Sequence, residues 1–273
     1  MKLDEMIESK WLDADSLRAT YSTGHPYPHI VMNNFINPDL LSKVENAFPD
    51  LRASQEKTEY GNTREKKLAS KGLSLFDGAA LELNSYLQSD LFLKWLNALT
   101  GIEEPLISDP YMDGGGYHQI ERGGFLKVHA DFNKHSLLNL DRRLNLLIYL
   151  NKNWSPDWGG GLQLYDNKMQ LAREVMPAFN TAVIFSTTSF TYHGHPSPLE
   201  CPAGRSRRSI AYYYYSTGRP RSEVAGLDHG TLFRAREGEN FGIKHTIKEV
   251  LKGVTPPILL RLINKERSRK GRA

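Results

Sequence analysis

The sequence contains almost no cysteine. Cys201 is the single one among 273 residues, so the chain can form neither an internal disulfide nor a metal site built from cysteines. Long apolar runs are also missing, and none approaches the length that a helix needs to cross a bilayer. The sequence begins with an acidic stretch that lacks an apolar core, which argues against a secretory signal. We therefore expect a protein of a reducing, cytoplasmic compartment.

Outside the C-terminal tail, the net charge of the chain is close to zero. The chain carries a formal charge of +4, but residues 261–273 hold six basic residues and one acidic residue, which leaves −1 for the rest. A body this close to neutral lacks the broad positive face of a nucleic-acid binder, so no nucleic-acid partner is expected. The apolar cluster and basic tail over 258–273 suit weak contact with an anionic membrane or a partner, or a short packed helix with a frayed end.

Length and composition are those of an ordinary globular chain, with 40% hydrophobic and 24% charged residues and enough length for a sizeable core. We expect one globular domain in three parts. These are an N-terminal helical region with a strand over 1–110, a strand-rich core over 111–220, and a C-terminal helix with the basic tail over 221–273. Helices followed by closely spaced strands predict an α+β fold with a rolled or sandwiched sheet. The sequence carries no signal of oligomeric state.

Local signals predict the main elements. Apolar spacing predicts helices over 78–88, 90–100 and 241–252. Residues 52–71 are polar with almost no apolar period, which favours a mobile surface loop or a lid that orders on substrate. Alternation and turn residues predict six strands after Pro110, over 116–120, 126–132, 143–150, 161–165, 182–185 and 207–215.

His129 and Asp131 are the first candidates for chemistry. On a β-strand, side chains two positions apart leave the same face, so these two would stand side by side. An imidazole nitrogen beside a carboxylate oxygen makes half of a site for a divalent metal, and one more imidazole would complete it. His193 and His195, downstream in the strand-rich region, are both candidates for that third ligand. Taken alone, the His129–Asp131 pair is more typical of a solvated loop, and each of the two later histidines is more typical of a structural histidine.

Arg207 and Ser209 are the second candidates, because they would share one face of a predicted strand. A guanidinium with a hydroxyl two residues on can bind one planar carboxylate through paired hydrogen bonds. A buried arginine needs such a partner, since an unpaired charge is costly to bury. The alternative is a solvated basic run over 205–208, attached to an edge strand.

The order of these motifs resembles a known family. The motifs are His129-Ala130-Asp131, Trp158-Gly159-Gly160-Gly161-Leu162, Phe185 leading to His193, and Arg207-Arg208-Ser209 with an aromatic strand after it. Over about 111–217 this order is similar to the iron(II)- and 2-oxoglutarate-dependent oxygenases, above all to their prolyl 4-hydroxylase-like branch. The resemblance implies a double-stranded β-helix, a distorted jelly roll of the cupin-like type, with N-terminal and C-terminal helices packed outside it.

The resemblance implies an iron site made by His129, Asp131 and His193. His193, rather than His195, has the distance from Phe185 and the place before the proline loop that match the family pattern. Three protein ligands on one face of the iron leave three positions open for 2-oxoglutarate and then O2. Ascorbate is the reductant that the resemblance implies. The carboxylate of Asp131 favours hydroxylation, because the halogenating relatives lack it.

The resemblance also implies a pocket for 2-oxoglutarate. Arg207 would pair with the far carboxylate, and Ser209 and Tyr149 would support it. Where the prolyl hydroxylases carry a tyrosine on the strand before the triad, this chain has Gln119, with Tyr117 two residues earlier. We assign Gln119 and Tyr117 to the same pocket.

The implied activity is hydroxylation of a C–H bond in a prolyl, peptidyl or small-molecule substrate, with release of succinate and CO2. A carbohydrate-linked or other metabolite is an alternative substrate, since nothing outside the strand-rich core carries a substrate signature. An alternative of another class is a non-catalytic jelly-roll module that binds a partner.

Overall fold

A computed structural model describes residues 2–226, 228–236, 238 and 239. The chain divides into two units, Met1–Arg236 and Glu237–Ala273, and every element named below belongs to the first. The helix predicted over 241–252 and the basic tail lie outside the described residues. Among the helices that are described, none has the length and apolar character to span a membrane.

The described N-terminal part is helical, as expected, and its helix ends follow local sequence signals. Asn37 accepts hydrogen bonds from two backbone N–H groups of the next helix, and Ser89 accepts one from the N–H of Phe92. Gly101, with φ of 69°, ends the last helix in the left-handed conformation. The predicted helices over 78–88 and 90–100 are confirmed. The α-helices are α1 (Leu3–Met6), α2 (Ala14–Ser22), α3 (Pro38–Asn46), α4 (Gly78–Leu87) and α5 (Asp90–Thr100).

One large sheet contains the thirteen strands of the described residues. All six predicted strands are present with shifts of one or two residues at their ends. The strands are β1 (His29–Asn33), β2 (Lys57–Gly61), β3 (Glu65–Ser70), β4 (Ile107–Ser108), β5 (Gly116–Glu121), β6 (Phe125–Ala130), β7 (Asp141–Tyr149), β8 (Leu162–Tyr165), β9 (Leu171–Val175), β10 (Thr181–Ser186), β11 (Tyr192–His195), β12 (Ser206–Ser216) and β13 (Leu232–Phe233).

The sheet curls into a nearly closed, barrel-like jelly roll. Its main path runs β1-β10-β7-β12-β5-β3-β6-β11-β8-β9, and the paired strands are antiparallel. One face of the β7–β12–β10 region belongs to the same core cluster as α4 and α5, through side chains such as Ile148, Ile184, Tyr212, Leu83 and Phe92. Burying each such apolar side chain contributes roughly 1.5–3 kcal/mol. The helices therefore cover one face of the sheet, and the cavity described below lies on the other face.

The prediction of a loop over 52–71 is wrong. The stretch contains the hairpin β2–β3, and β3 pairs with β5 and β6 inside the sheet. Backbone hydrogen bonds to β5 and β6 hold the hairpin in the sheet. Only three of its residues, Leu68, Ala69 and Ser70, are buried. The sequence shows no regular spacing of apolar residues there because the other residues of the hairpin are partly or fully exposed. Sequence patterning also missed the short strands β9, β11 and β13.

Candidate active site

Three side chains from two neighbouring strands converge inside the roll. His129 on β6 pairs directly with His193 on β11, and Asp131 follows the end of β6. One ligand atom from each of these residues lies within 4.8 Å of the others. His129 Nε2 is 3.5 Å from Asp131 Oδ1, and His193 Nε2 is 3.4 Å from Asp131 Oδ2. The structure thus brings together the three residues proposed from the sequence, and the cluster can hold one metal ion. Their role as ligands stays a prediction.

Backbone hydrogen bonds orient both imidazole rings. His129 Nδ1 donates to the Lys127 carbonyl over 2.8 Å, and His193 Nδ1 donates to the Thr191 carbonyl over 3.3 Å. In a neutral imidazole the other nitrogen is then an acceptor, so both Nε2 lone pairs are free for a metal. Burial lowers the pKa of His193 to about 4, with the charge of Asp131 opposing that shift, which keeps its ring unprotonated at neutral pH.

Two side chains of β7 donate hydrogen bonds to the carboxylate of Asp131. Its Oδ2 accepts hydrogen bonds from Arg142 Nη2 over 3.1 Å and from Asn145 Nδ2 over 2.7 Å. Burial alone would raise the pKa of Asp131, but the charge of Arg142 and the interactions with His193 and His129 outweigh burial and hold the pKa well below its usual range. The group is therefore an ionised, oriented carboxylate. Sequence reasoning missed Arg142 and Asn145, whose β7 position places them beside Asp131 only in three dimensions.

Arg207 lies in the same cavity as this cluster and is 5% exposed. Its Nε donates to the Gly160 carbonyl over 2.6 Å, and its Nη2 donates to Tyr149 Oη over 3.1 Å. Within the described residues no carboxylate lies at salt-bridge distance from it, and burial lowers the pKa of its guanidinium. A buried positive charge without a counter-ion is costly, so the geometry fits an anionic ligand.

Strand register explains which side chains share the cavity with Arg207. Directly paired residues of antiparallel strands point to the same side. Ser209 pairs with both Tyr149 and His118, and Arg207 pairs with Ile120. The structure therefore brings Arg207, Ser209 and Tyr149 together, as the sequence predicted. It adds the half-buried His118, which the sequence reasoning had not singled out, as a further residue lining the cavity.

The placement of Tyr117 and Gln119 in this cavity is wrong. Both lie on the opposite face of β5 from His118, because successive side chains of a strand alternate. Tyr117 is fully buried in the core, with its ring against Phe48 and Phe76. Gln119 lines a different cavity of about 350 Å³ beside the hairpin. The match to the family motif was shifted by one residue along β5, and such a shift assigns each side chain to the wrong face of the strand.

Comparison with known proteins shows what the core of the chain resembles. Residues 115–215 match the model of the 2OG-Fe(II) oxygenase superfamily, and this segment carries the cluster of His129, Asp131 and His193 as well as Arg207. The strand-rich core of the chain is therefore similar to this superfamily. The resemblance stated from the motif order is thus confirmed.

Individual relatives are distant. Prolyl 3-hydroxylase OGFOD1 of Mus musculus is 24% identical over 262 residues, which covers 84% of this chain and 43% of the relative. The chain spans less than half the length of the curated relatives it matches.

Two solved structures share the fold. A prolyl hydroxylase from Trichoplax adhaerens, in complex with a hypoxia inducible factor oxygen degradation domain peptide fragment, has a TM-score of 0.55 at 17% identity. The alignment covers 76% of this chain and 91% of that one. HygX from Streptomyces hygroscopicus, with nickel, 2-oxoglutarate and hygromycin B bound, has a TM-score of 0.51 at 12% identity, covering 79% and 97%. At these identities the likeness concerns the fold, and it confirms the double-stranded β-helix.

Proposed function

We propose that this protein is an iron(II)- and 2-oxoglutarate-dependent dioxygenase that hydroxylates a C–H bond. One observation carries the proposal: a buried His-Asp-His cluster and a buried arginine, which has no counter-ion among the described residues, line the same cavity. The cluster suits a divalent metal, and the arginine suits a carboxylate. A ligand that joins the two sites must carry a metal-binding group at one end and a carboxylate at the other, as 2-oxoglutarate does.

The donor set fits iron. His129, Asp131 and His193 offer two imidazole nitrogens and one carboxylate, which is the donor set that would hold the iron of a non-haem oxygenase. Iron with 2-oxoglutarate and O2 supplies the oxidising power for the C–H bond. The chain itself orients the ligands, through Lys127 and Thr191 for the imidazoles and through Asn145 and Arg142 for the carboxylate.

The other end of the cavity would hold the distal carboxylate of 2-oxoglutarate. Arg207 would bind it as a two-pronged donor, while the phenol of Tyr149 and the carbonyl of Gly160 keep the guanidinium in place. Ser209, on the same face of β12, would add a hydroxyl. Leu147 and Leu162 also line the cavity and add apolar surface to it.

Two substrate classes follow from the relatives. The prolyl 3-hydroxylase and the peptide-bound prolyl hydroxylase support a prolyl residue in a peptide, and we rank it first. HygX with hygromycin B bound supports a carbohydrate-linked small molecule as the alternative. We keep ascorbate as the proposed reductant and the cytoplasm as the proposed location. The proposed contact of residues 258–273 with an anionic membrane or partner lies outside the described residues.

The test is formation of succinate that depends on substrate. The protein should convert 2-oxoglutarate to succinate with iron(II), ascorbate and a panel of prolyl peptides and carbohydrate-linked compounds. His129→Ala and Asp131→Ala should abolish turnover, while Gln119→Ala, on the opposite face of β5, should leave it unchanged. Turnover that survives both cluster substitutions would contradict the proposal. Metal and 2-oxoglutarate binding without any succinate would favour the non-catalytic module.

A further inference from the structure

His195 is a buried histidine for which the proposed function has no role. It is 3% exposed and lines the cavity that contains the metal cluster and Arg207. Neither of its ring nitrogens has a hydrogen-bond partner among the described residues. Buried side-chain polar atoms are nearly always paired in native proteins. Two unpaired nitrogens on one ring that faces a cavity therefore indicate a ligand that the ring would bind.

The backbone of β11 directs His195 into the cavity. His193 and His195 are two positions apart and both line the cavity, on either side of Gly194. A Cβ at Gly194 would lie 2.8 Å from the Leu126 carbonyl oxygen and 3.0 Å from that of Lys127. β11 can approach β6 this closely only with glycine at that position. The close contact holds this part of β11, from which both histidines line the cavity, against β6.

The same backbone places His195 near the end of the cavity that holds Arg207. Gly194 pairs with Gln163 on β8, so the next residue of β11 lies toward the start of β8. The segment just before β8 supplies the Gly160 carbonyl that accepts the hydrogen bond from Arg207 Nε.

Arg207 has donors to spare at this end of the cavity. A guanidinium has five N–H donors, and the protein hydrogen bonds of Arg207 use its Nε and its Nη2. A carboxylate has two oxygens with about four acceptor sites, more than a guanidinium fork alone fills. An imidazole N–H beside the fork would occupy one of the remaining sites.

We propose that His195 donates a hydrogen bond to the carboxylate that Arg207 binds. Under the function proposed above, on which this inference rests, that group is the distal carboxylate of 2-oxoglutarate. His195 is then a residue that selects the co-substrate: it favours a 2-oxo acid with a second carboxylate over one that ends in a methyl group. A neutral imidazole suffices, because it keeps one N–H donor.

The experiment compares two keto acids of equal chain length. Binding of 2-oxoglutarate and of 2-oxopentanoate, which has a methyl group in place of the distal carboxylate, is measured by calorimetry on the full chain loaded with Zn²⁺. His195→Val should weaken 2-oxoglutarate binding about tenfold or more, equivalent to about 1.4 kcal/mol, and leave 2-oxopentanoate within about twofold. His195→Gln keeps an N–H donor and should recover part of the affinity.

The outcomes separate this inference from the proposed function. If the unsubstituted protein binds no 2-oxoglutarate, the proposed function fails and the inference fails with it. If it binds 2-oxoglutarate and His195→Val binds equally well, only the inference fails. Equal weakening of both keto acids would also overturn it, because that pattern indicates displacement of His193 rather than a lost carboxylate contact.

A measurement on the unsubstituted protein covers the case in which the variants do not fold. With ¹⁵N-labelled histidine and Zn²⁺, 2-oxoglutarate should shift the imidazole signals of one histidine that does not bind the metal. 2-Oxopentanoate should leave that histidine unshifted. An identical response to both ligands would overturn the inference.

Discussion

Replacing Arg207 with methionine should weaken co-substrate binding much more than it changes the stability of the ligand-free fold. The guanidinium is buried, is bonded to the Gly160 carbonyl and Tyr149 Oη, and has no counter-ion among the described residues. In the ligand-free protein, most of the unfavourable free energy of burying this charge is therefore not compensated. The bound carboxylate would offset that cost.

The two magnitudes follow from these contacts. Removing one partner of a buried, hydrogen-bonded charge pair costs about 2–5 kcal/mol, which raises the Kd for 2-oxoglutarate roughly 30-fold to several thousand-fold. In the ligand-free protein, methionine forgoes two hydrogen bonds of about 1 kcal/mol each. It also removes a buried charge, and replacing buried charged groups with apolar ones is often neutral or stabilising by about 1–4 kcal/mol. The two terms sum to a stability change between about −2 and +2 kcal/mol.

Urea unfolding of the metal-free protein measures the stability, and calorimetry with Zn²⁺ measures the affinity. Arg208→Met is the matched control, because Arg208 lies on the other face of β12 with its guanidinium over the ring of Phe48. That variant should bind 2-oxoglutarate normally. The reasoning is refuted if Arg207→Met loses more than about 3 kcal/mol of stability while 2-oxoglutarate affinity stays unchanged.

Three further predictions follow from the site. Asn145→Ala removes the 2.7 Å hydrogen bond to Asp131 and should weaken Zn²⁺ binding about 10-fold or more in a competition titration; unchanged affinity would show that Asn145 does not orient the carboxylate. Gln119→Ala and Tyr117→Phe should leave 2-oxoglutarate affinity unchanged in calorimetry, because both side chains face away from the cavity, and a tenfold loss in either would contradict the strand register. Because burial lowers the pKa of His193 to about 4, the unfolded chain binds a proton between pH 6.5 and 4 that the folded chain does not. The metal-free protein should therefore lose about 2 kcal/mol of stability from this group between pH 7 and pH 5, and His193→Gln should make that urea-measured slope shallower; an equal slope in the two proteins would rule the effect out.

The sequence predicted the parts of the site that depend on alternation along one strand. His129 with Asp131, and Arg207 with Ser209, needed only the two-residue period, and the structure places each pair on one side. The third member of the cluster needed more, because residues alone did not separate His193 from His195. Both line the cavity, so the local pattern was correct for each of them. The motif order of the family distinguished the one that joins the cluster.

What the sequence missed depends on pairing between strands. Asn145 reaches Asp131 because β7 crosses the roll beside the end of β6, and no local spacing encodes that contact. Tyr117 and Gln119 were wrongly assigned to the cavity. A shift of one residue along β5 moves a side chain to the other face of the sheet, and matching to the family motif did not determine the register to one residue. The hairpin β2–β3 was missed because backbone pairing holds it without a run of apolar side chains.

Anaerobic addition of iron(II) and 2-oxoglutarate tests the central claim most directly. If the His-Asp-His cluster binds iron and the keto acid chelates the same ion, the protein should develop a weak visible charge-transfer band. The band should be absent in His129→Ala, which lacks one of the clustered ligands. An unsubstituted protein that binds neither iron nor 2-oxoglutarate and develops no band would contradict the claim.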